Sequence, residues 1–131
     1  MLQGLPEGAR VLLTRTDALG DVVLTLPAAG LLKAQNPGIE VHMLVRRYAM
    51  PVLEAYPGLD GRHCLEDWEA QGTLVQALRE LAPTHIVYVY PRMKLATAGM
   101  QAGIPHRIGT ARRAYHWLTC THRPRLARRG T

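Results

Sequence analysis

Apolar runs alternate along this chain with segments of helical spacing, the pattern of an α/β fold built on a parallel sheet. Arg10-Val11-Leu12-Leu13-Thr14-Arg15 predicts a first strand. Its Val11-Leu12-Leu13 core is continuous rather than alternating, as expected of a strand covered on both faces. A loop from Thr16 to Gly20 leads into a helix from Asp21 to Gln35, where Pro27 should impose a kink or mark the start of the regular part. Asn36-Pro37-Gly38 ends that helix, and Ile39 to Val45 predicts a second strand. A short helix over Tyr48 to Tyr56 is stopped by Pro57-Gly58, and Arg62 to Leu65 reads as a short third strand. Trp68 to Leu81 carries Leu74, Leu78 and Leu81 at helical spacing, and Pro83 closes it before a fourth strand, Thr84 to Tyr90. Another helix over Arg92 to Ala102 and a fifth strand, His106 to Gly109, follow. Arg112 to Leu118 suggests a last helix ahead of a basic tail.

Right-handed crossovers then favour a doubly wound, Rossmann-like sheet in the order 3-2-1-4-5. Ligands of such sheets sit beyond the carboxyl ends of the strands, where the direction of winding switches. That point lies beside the first strand, so Thr16 to Asp21 is where chemistry is expected.

Composition narrows the class. A chain of 131 residues suits one domain with its own core, and its hydrophobic fraction of 47% with 20% charged residues is that of an ordinary globular protein. The apolar runs fall far short of the roughly 20 residues a membrane span needs, and Met1 to Arg10 shows no secretory pattern. With Cys64 and Cys120 as the only cysteines, a reducing cytoplasm is the expected setting. The net charge is +6, and it is unevenly spread. After Glu80 come Arg92, Lys94, Arg107, Arg112, Arg113, Arg123, Arg125, Arg128 and Arg129 with no carboxylate among them. Such a segment fits an anionic partner (nucleic acid, an acidic membrane surface, a phosphorylated ligand) or balances an acidic partner domain; charge alone leaves both open.

The loop after the first strand carries the candidate chemistry. A phosphate cradle there would need several glycines, so that backbone N–H groups could approach the anion. This loop has one, Gly20, and Asp17 and Asp21 would repel an anion. No dinucleotide fingerprint is present. What the loop offers is a carboxylate at a cleft edge, suited to taking a proton from a hydroxyl. The plainer reading of Asp21 is a helix cap or first-turn residue.

The surrounding residues favour the chemical reading. Arg15-Thr16-Asp17-Ala18-Leu19-Gly20-Asp21-Val22-Val23-Leu24-Thr25-Leu26-Pro27-Ala28 closely resembles the opening motif of glycosyltransferase family 9, the ADP-heptose:lipopolysaccharide heptosyltransferases. Leu44-Val45-Arg46-Arg47, Ala102-Gly103-Ile104-Pro105-His106-Arg107-Ile108-Gly109 and Thr119-Cys120-Thr121-His122 resemble later segments of that family in the same order. The resemblance implies a GT-B architecture, two Rossmann-like domains facing a cleft, with residues 1–131 as the N-terminal, acceptor-side domain. It implies inverting transfer of a sugar, heptose from ADP-heptose, to an inner-core lipopolysaccharide acceptor, with no cofactor and no metal. Asp21 falls on the family's general base. Thr16, Asp17 and Gly20 would adjoin the acceptor. Arg46, Arg47, Arg92, Lys94 and Arg107 are the candidate cations for its carboxylates and phosphates, Lys94 having the best motif support. The partners implied are a nucleotide-sugar donor and an anionic glycolipid acceptor rather than nucleic acid, with peripheral contact at the inner face of the cytoplasmic membrane.

Two departures stand out. Tyr88-Val89-Tyr90-Pro91-Arg92 replaces a polar segment the family often has, and the chain stops near where an interdomain linker should begin, so the donor-binding half is absent and this chain alone is expected to be inactive. Rival readings are a basic nucleic-acid-binding module using Tyr115, His116 and Trp117, and a stand-alone acceptor-binding protein. His116, Cys120 and His122, joined by Cys64 or His63, have a spacing that could hold zinc, but satisfied histidines and a buried thiol account for them as well. Trp68 and Trp117 read as packing residues.

Overall fold

A computed structural model of the chain describes residues 5–16, 19–88 and 93–109. Five parallel strands, β1 (Arg10–Thr14), β2 (Glu40–Val45), β3 (Gly61–Cys64), β4 (His85–Tyr88) and β5 (His106–Gly109), form one sheet in the order β3-β2-β1-β4-β5. The registers Leu12↔His42, Leu12↔Ile86, Leu44↔His63 and Ile86↔Arg107 carry the pairing from edge to edge. This is the expected α/β, doubly wound order, and β1 sits at the point where winding reverses.

Both sheet faces are covered, which is why the apolar runs of β1 do not alternate. On one face Val11, Leu13, Val41, Met43, Val45, Val87 and Ile108 pack against α1 (Leu19–Gln35) and α2 (Met50–Glu54) through Val22, Leu26, Ala29, Leu32 and Leu53. On the other, Leu12, Leu44, Ile86 and Tyr88 meet α3 (Leu65–Gln71), α4 (Leu74–Leu81) and α5 (Met93–Gln101). Gly99 of α5 leaves room for the buried Tyr88 ring: a Cβ there would lie 2.1 Å from Tyr88 Oη.

The elements depart from expectation in three places. The helix after β1 begins two residues early, at Leu19, and runs through Pro27 to Gln35, which leaves Asp21 in its first turn, one of the two positions expected for it. The single helix expected over Trp68 to Leu81 is two, with Gly72 and Thr73 between them. Thr73 caps the second by accepting a hydrogen bond from Gln76 N–H at 3.1 Å, so a good N-cap restarts the helix. The short helix expected over Tyr48 to Tyr56 begins as a 3₁₀ turn, Arg47–Ala49, and ends at Glu54. The helix expected over Arg112 to Leu118, and the zinc candidates His116, Cys120 and His122, lie outside the described residues. Among the described residues no helix is long and apolar enough to cross a membrane, and no group of three or more His, Cys, Asp or Glu is arranged to hold a metal.

Candidate functional site

The carboxyl end of β1 is fixed by the sheet itself. Arg15 N–H donates to Leu44 O at 3.0 Å, so the ladder continues one residue past β1 and anchors the root of the Arg15 side chain. Thr14 Oγ donates to Val87 O at 3.2 Å on the opposite side, tying the same end of β1 to β4. Thr16 comes next and is buried, 2% exposed.

From this edge the chain enters α1, whose first turn carries Gly20 and Asp21. The Asp21 carboxylate is open to solvent, 44% exposed, with Oδ1 3.4 Å from Arg15 Nη2. The Asp21 carbonyl accepts from Thr25 Oγ at 2.9 Å. Space around Gly20 is open: a Cβ added there would meet nothing within 4 Å. The arrangement therefore holds a carboxylate at the rim of the crevice and a guanidinium behind it. An exposed carboxylate so placed can accept a proton from a hydroxyl entering the crevice.

The candidate cations are placed differently from one another. Arg46 and Arg47 follow β2, as expected, but both are held by α3. Arg46 Nε donates to Glu66 Oε2 at 2.8 Å, Arg47 N–H donates to Glu66 Oε1 at 2.8 Å, and the Arg47 guanidinium pairs with Asp67. Burial opposes ionisation of Glu66, but the hydrogen bonds from Arg46 and the Arg47 backbone outweigh it and hold the carboxyl at about 2. The same contacts raise both arginines above their ordinary value, led by the hydrogen bonds to Glu66 and Asp67. Lys94, in the first turn of α5, is 72% exposed and donates to Glu69 Oε2 at 3.2 Å. Arg107, early in β5, donates from Nη1 to Ile104 O at 2.8 Å. Asp17 and Arg92 lie outside the described residues. Of the residues singled out from sequence, the structure thus brings Thr16, Gly20 and Asp21 together. Arg46, Arg47 and Lys94 form a separate group on the acidic helix α3.

Two features were missed in the sequence. By pattern Arg15 closes the first strand, yet its guanidinium is an ionic neighbour of Asp21. The second is a row of polar side chains across β1, β2 and β3, on the face that carries α3 to α5. Arg10 Nε donates to Glu40 Oε1 at 2.9 Å, and His42 Nε2 lies 2.9 Å from the same oxygen. His42 Nδ1 in turn lies 2.9 Å from His63 Nε2. The two rings are 11° from coplanar with centroids 5.2 Å apart, the separation that an edge-to-edge N–H···N bond produces. A carboxylate accepts only, so His42 carries its hydrogen on Nε2 and a neutral His63 donates to Nδ1. Gly61 is the space this needs, since a Cβ there would lie 2.0 Å from His42 Nδ1.

Fold and site together describe a Rossmann-like domain with a partly exposed carboxylate, Asp21, at the switch point of its sheet among the described residues. Known proteins share that frame. The structure superposes on a glycosyl transferase family 9 protein from Veillonella parvula with a TM-score of 0.74 and 19% identity, covering 89% of this chain and 35% of that one. It superposes on the E. coli heptosyltransferase WaaC with ADP at a TM-score of 0.69 and 20% identity, over 88% of this chain and 40% of that one. For E. coli ADP-heptose lps heptosyltransferase II the TM-score is 0.64, with 24% identity over 76% of this chain and 30% of that one. In sequence it is 26% identical over 125 residues to a Haemophilus influenzae protein named "Putative glycosyltransferase". That match takes in 92% of this chain and 35% of the relative, so the chain spans about a third of the curated relative's length. No family model matches. The likeness to family 9 glycosyltransferases suggested by the motifs therefore extends to the three-dimensional fold.

Proposed function

We propose that this chain is the acceptor-side domain of a glycosyltransferase and that Asp21 is its general base. The observation that carries the reading is the exposed Asp21 carboxylate at the carboxyl end of β1, where an open α/β sheet receives its ligand. In the proposed reaction an acceptor hydroxyl gives its proton to Asp21, its oxygen attacks the anomeric carbon of a nucleotide-sugar, and the nucleotide diphosphate leaves with inversion. The finer reading is ADP-heptose as donor and an anionic inner-core lipopolysaccharide as acceptor. It is supported by the motif resemblance and by the likeness to a heptosyltransferase whose structures hold ADP and an ADP-heptose analogue. A second α/β domain would bind the donor, no cofactor would be needed, and the work would be done in the cytoplasm beside the membrane that holds the acceptor.

Tyr115, His116 and Trp117, on which the nucleic-acid reading relies, lie outside the described residues; the described cations add nothing to it. Arg46, Arg47 and Lys94 each face a carboxylate of α3, so they do not present an uncompensated basic track. The test is Asp21→Asn in the chain joined to its donor-binding domain. Transfer should fall by about 10²- to 10⁴-fold, the usual contribution of a positioned base, with an unchanged melting temperature. Transfer within a few-fold of wild type would remove Asp21 from the mechanism.

A further inference from the structure

Glu66 holds one residue at two points. Its Oε2 accepts from Arg46 Nε at 2.8 Å, and its Oε1 accepts from the backbone N–H of Arg47, the next residue, also at 2.8 Å. The Arg46 side chain, the carboxylate and the peptide bond between the two arginines thereby close a ring, and an arginine in such a ring has lost most of its rotamer freedom. Cys64 Sγ, at the end of β3, adds a contact to Oε1 at 3.5 Å and steadies the carboxylate in turn. Both oxygens of Glu66 are engaged, but the guanidinium is only half used. Among the described residues neither Nη1 nor Nη2 of Arg46 donates to a protein atom, and both are open to solvent. Arg46 also lies on the edge that carries Asp21: Leu44 pairs with Thr14, so Arg46 stands two residues past the ladder, at the level of Thr16.

We propose that Glu66 is a positioning residue, which holds Arg46 so that its Nη1–Nη2 edge takes a carboxylate or phosphate group of the acceptor by a two-pronged contact. This rests on the reading of the carboxyl edge as the acceptor side. Charge alone would give Glu66 the opposite effect, since an anion repels an anion. The side chains of Arg46 and Glu66 are 35% and 32% exposed, however, and repulsion so open to solvent is screened. A ring-held arginine binds without the loss of side-chain freedom that a loose one undergoes, and that gain sets the sign.

The experiment titrates a deacylated, heptose-free inner-core oligosaccharide into the 131-residue chain, at a temperature where every variant is folded. Arg46→Gln should weaken binding by roughly tenfold, the size of one charge-assisted hydrogen bond. Arg46→Lys keeps the charge without the planar fork and should weaken it nearly as much. Glu66→Gln should weaken binding several-fold, yet add nothing in the Arg46→Gln background, because Glu66 acts only through Arg46. In the chain joined to its donor-binding domain, Glu66→Gln should raise the acceptor KM and leave kcat and the donor KM unchanged, a split that a merely structural carboxylate would not produce. Phosphatase-treated oligosaccharide assigns the group: a persisting Arg46 effect marks a carboxylate, its disappearance a phosphate. Tighter or unchanged binding in Glu66→Gln, equal losses in both backgrounds, or full affinity in Arg46→Lys would overturn the positioning role. Unchanged binding in Arg46→Gln would do the same and leave the Asp21 assignment standing. Retained transfer in Asp21→Asn, with the Arg46 and Glu66 effects intact, would remove the base and keep Glu66 in its role.

Discussion

His63 and Glu66, three residues apart, respond to acid in separate windows. Burial, and secondarily the charge of His42, pushes His63 down from 6.5 to about 4. Between those values the unfolded chain binds a proton that the folded chain refuses, so stability falls as pH drops from 6.5 toward 4 and levels off below. Glu66 moves from 4.5 to about 2, as its hydrogen bonds to Arg46 and Arg47 overcome burial. Its contribution is whole above 4.5 and is lost as pH falls toward 2. Urea midpoints at pH 7, 5 and 3 separate the two. His63→Gln should shrink the loss between pH 7 and 5 and keep the later one, whereas Glu66→Gln should lower the midpoint at pH 7 and shrink the loss between pH 5 and 3. An undiminished drop from pH 7 to 5 in His63→Gln would show that the buried ring is not its source. None of this was legible in the sequence, because the partners are Arg46 and His42, some twenty residues away, and only the β2–β3 register brings them close. Asp21 was legible because its motif is local and its strand, loop and helix follow one another without a gap. Arg15, in the same motif, was missed because its end-of-strand position gave no hint that its side chain turns toward α1.

At the scale of elements, β1, β2 and β4 could be read directly as short apolar runs preceded by Gly8, Gly38 and Pro83, whereas β3 and β5, each mostly polar, were legible from the alternation of strand and helix. Helix ends were less readable. Thr73 can begin a helix as readily as it can sit within one, and the leucine spacing of Leu74, Leu78 and Leu81 says nothing about where the helix starts. Helix α1 is apolar on both sides, with Val22, Leu26 and Leu32 buried and Val23, Leu24 and Leu31 exposed, so periodicity could not say which side turns inward. The end of α4 offers a direct test of local strain. Ala82 caps it in the left-handed region at φ 54°, with its N–H donating to Leu78 O at 2.9 Å. A Cβ in that conformation costs about 1–2 kcal/mol, against about 0.4–1 kcal/mol of extra unfolded-state entropy for glycine. Ala82→Gly should therefore stabilise the domain by about 0.5 kcal/mol, raising the melting temperature on the order of 2 °C for a chain of this size. A fall in melting temperature would mean that the Ala82 methyl makes contacts worth more than the strain it brings.

In the proposed function the whole domain is one wall of a binding cleft. Its sheet opens its carboxyl edge at Arg15, Thr16 and Asp21, and the chain matches only 30–42% of the length of the transferases it superposes on. Under the proposed division of labour, the base and ribose of the donor are held by a second domain. Recognition of a nucleotide requires contacts to base and ribose as well as phosphate, so the phosphates alone should set whatever affinity this chain has. ADP titrated into the 131-residue chain should bind no more tightly than inorganic phosphate. Joining the donor-binding domain should then tighten ADP by orders of magnitude while leaving phosphate little changed, because only the nucleotide gains a second wall. Micromolar ADP binding by this chain alone would place a nucleotide site in this half and require the proposed division of labour between two domains to be redrawn.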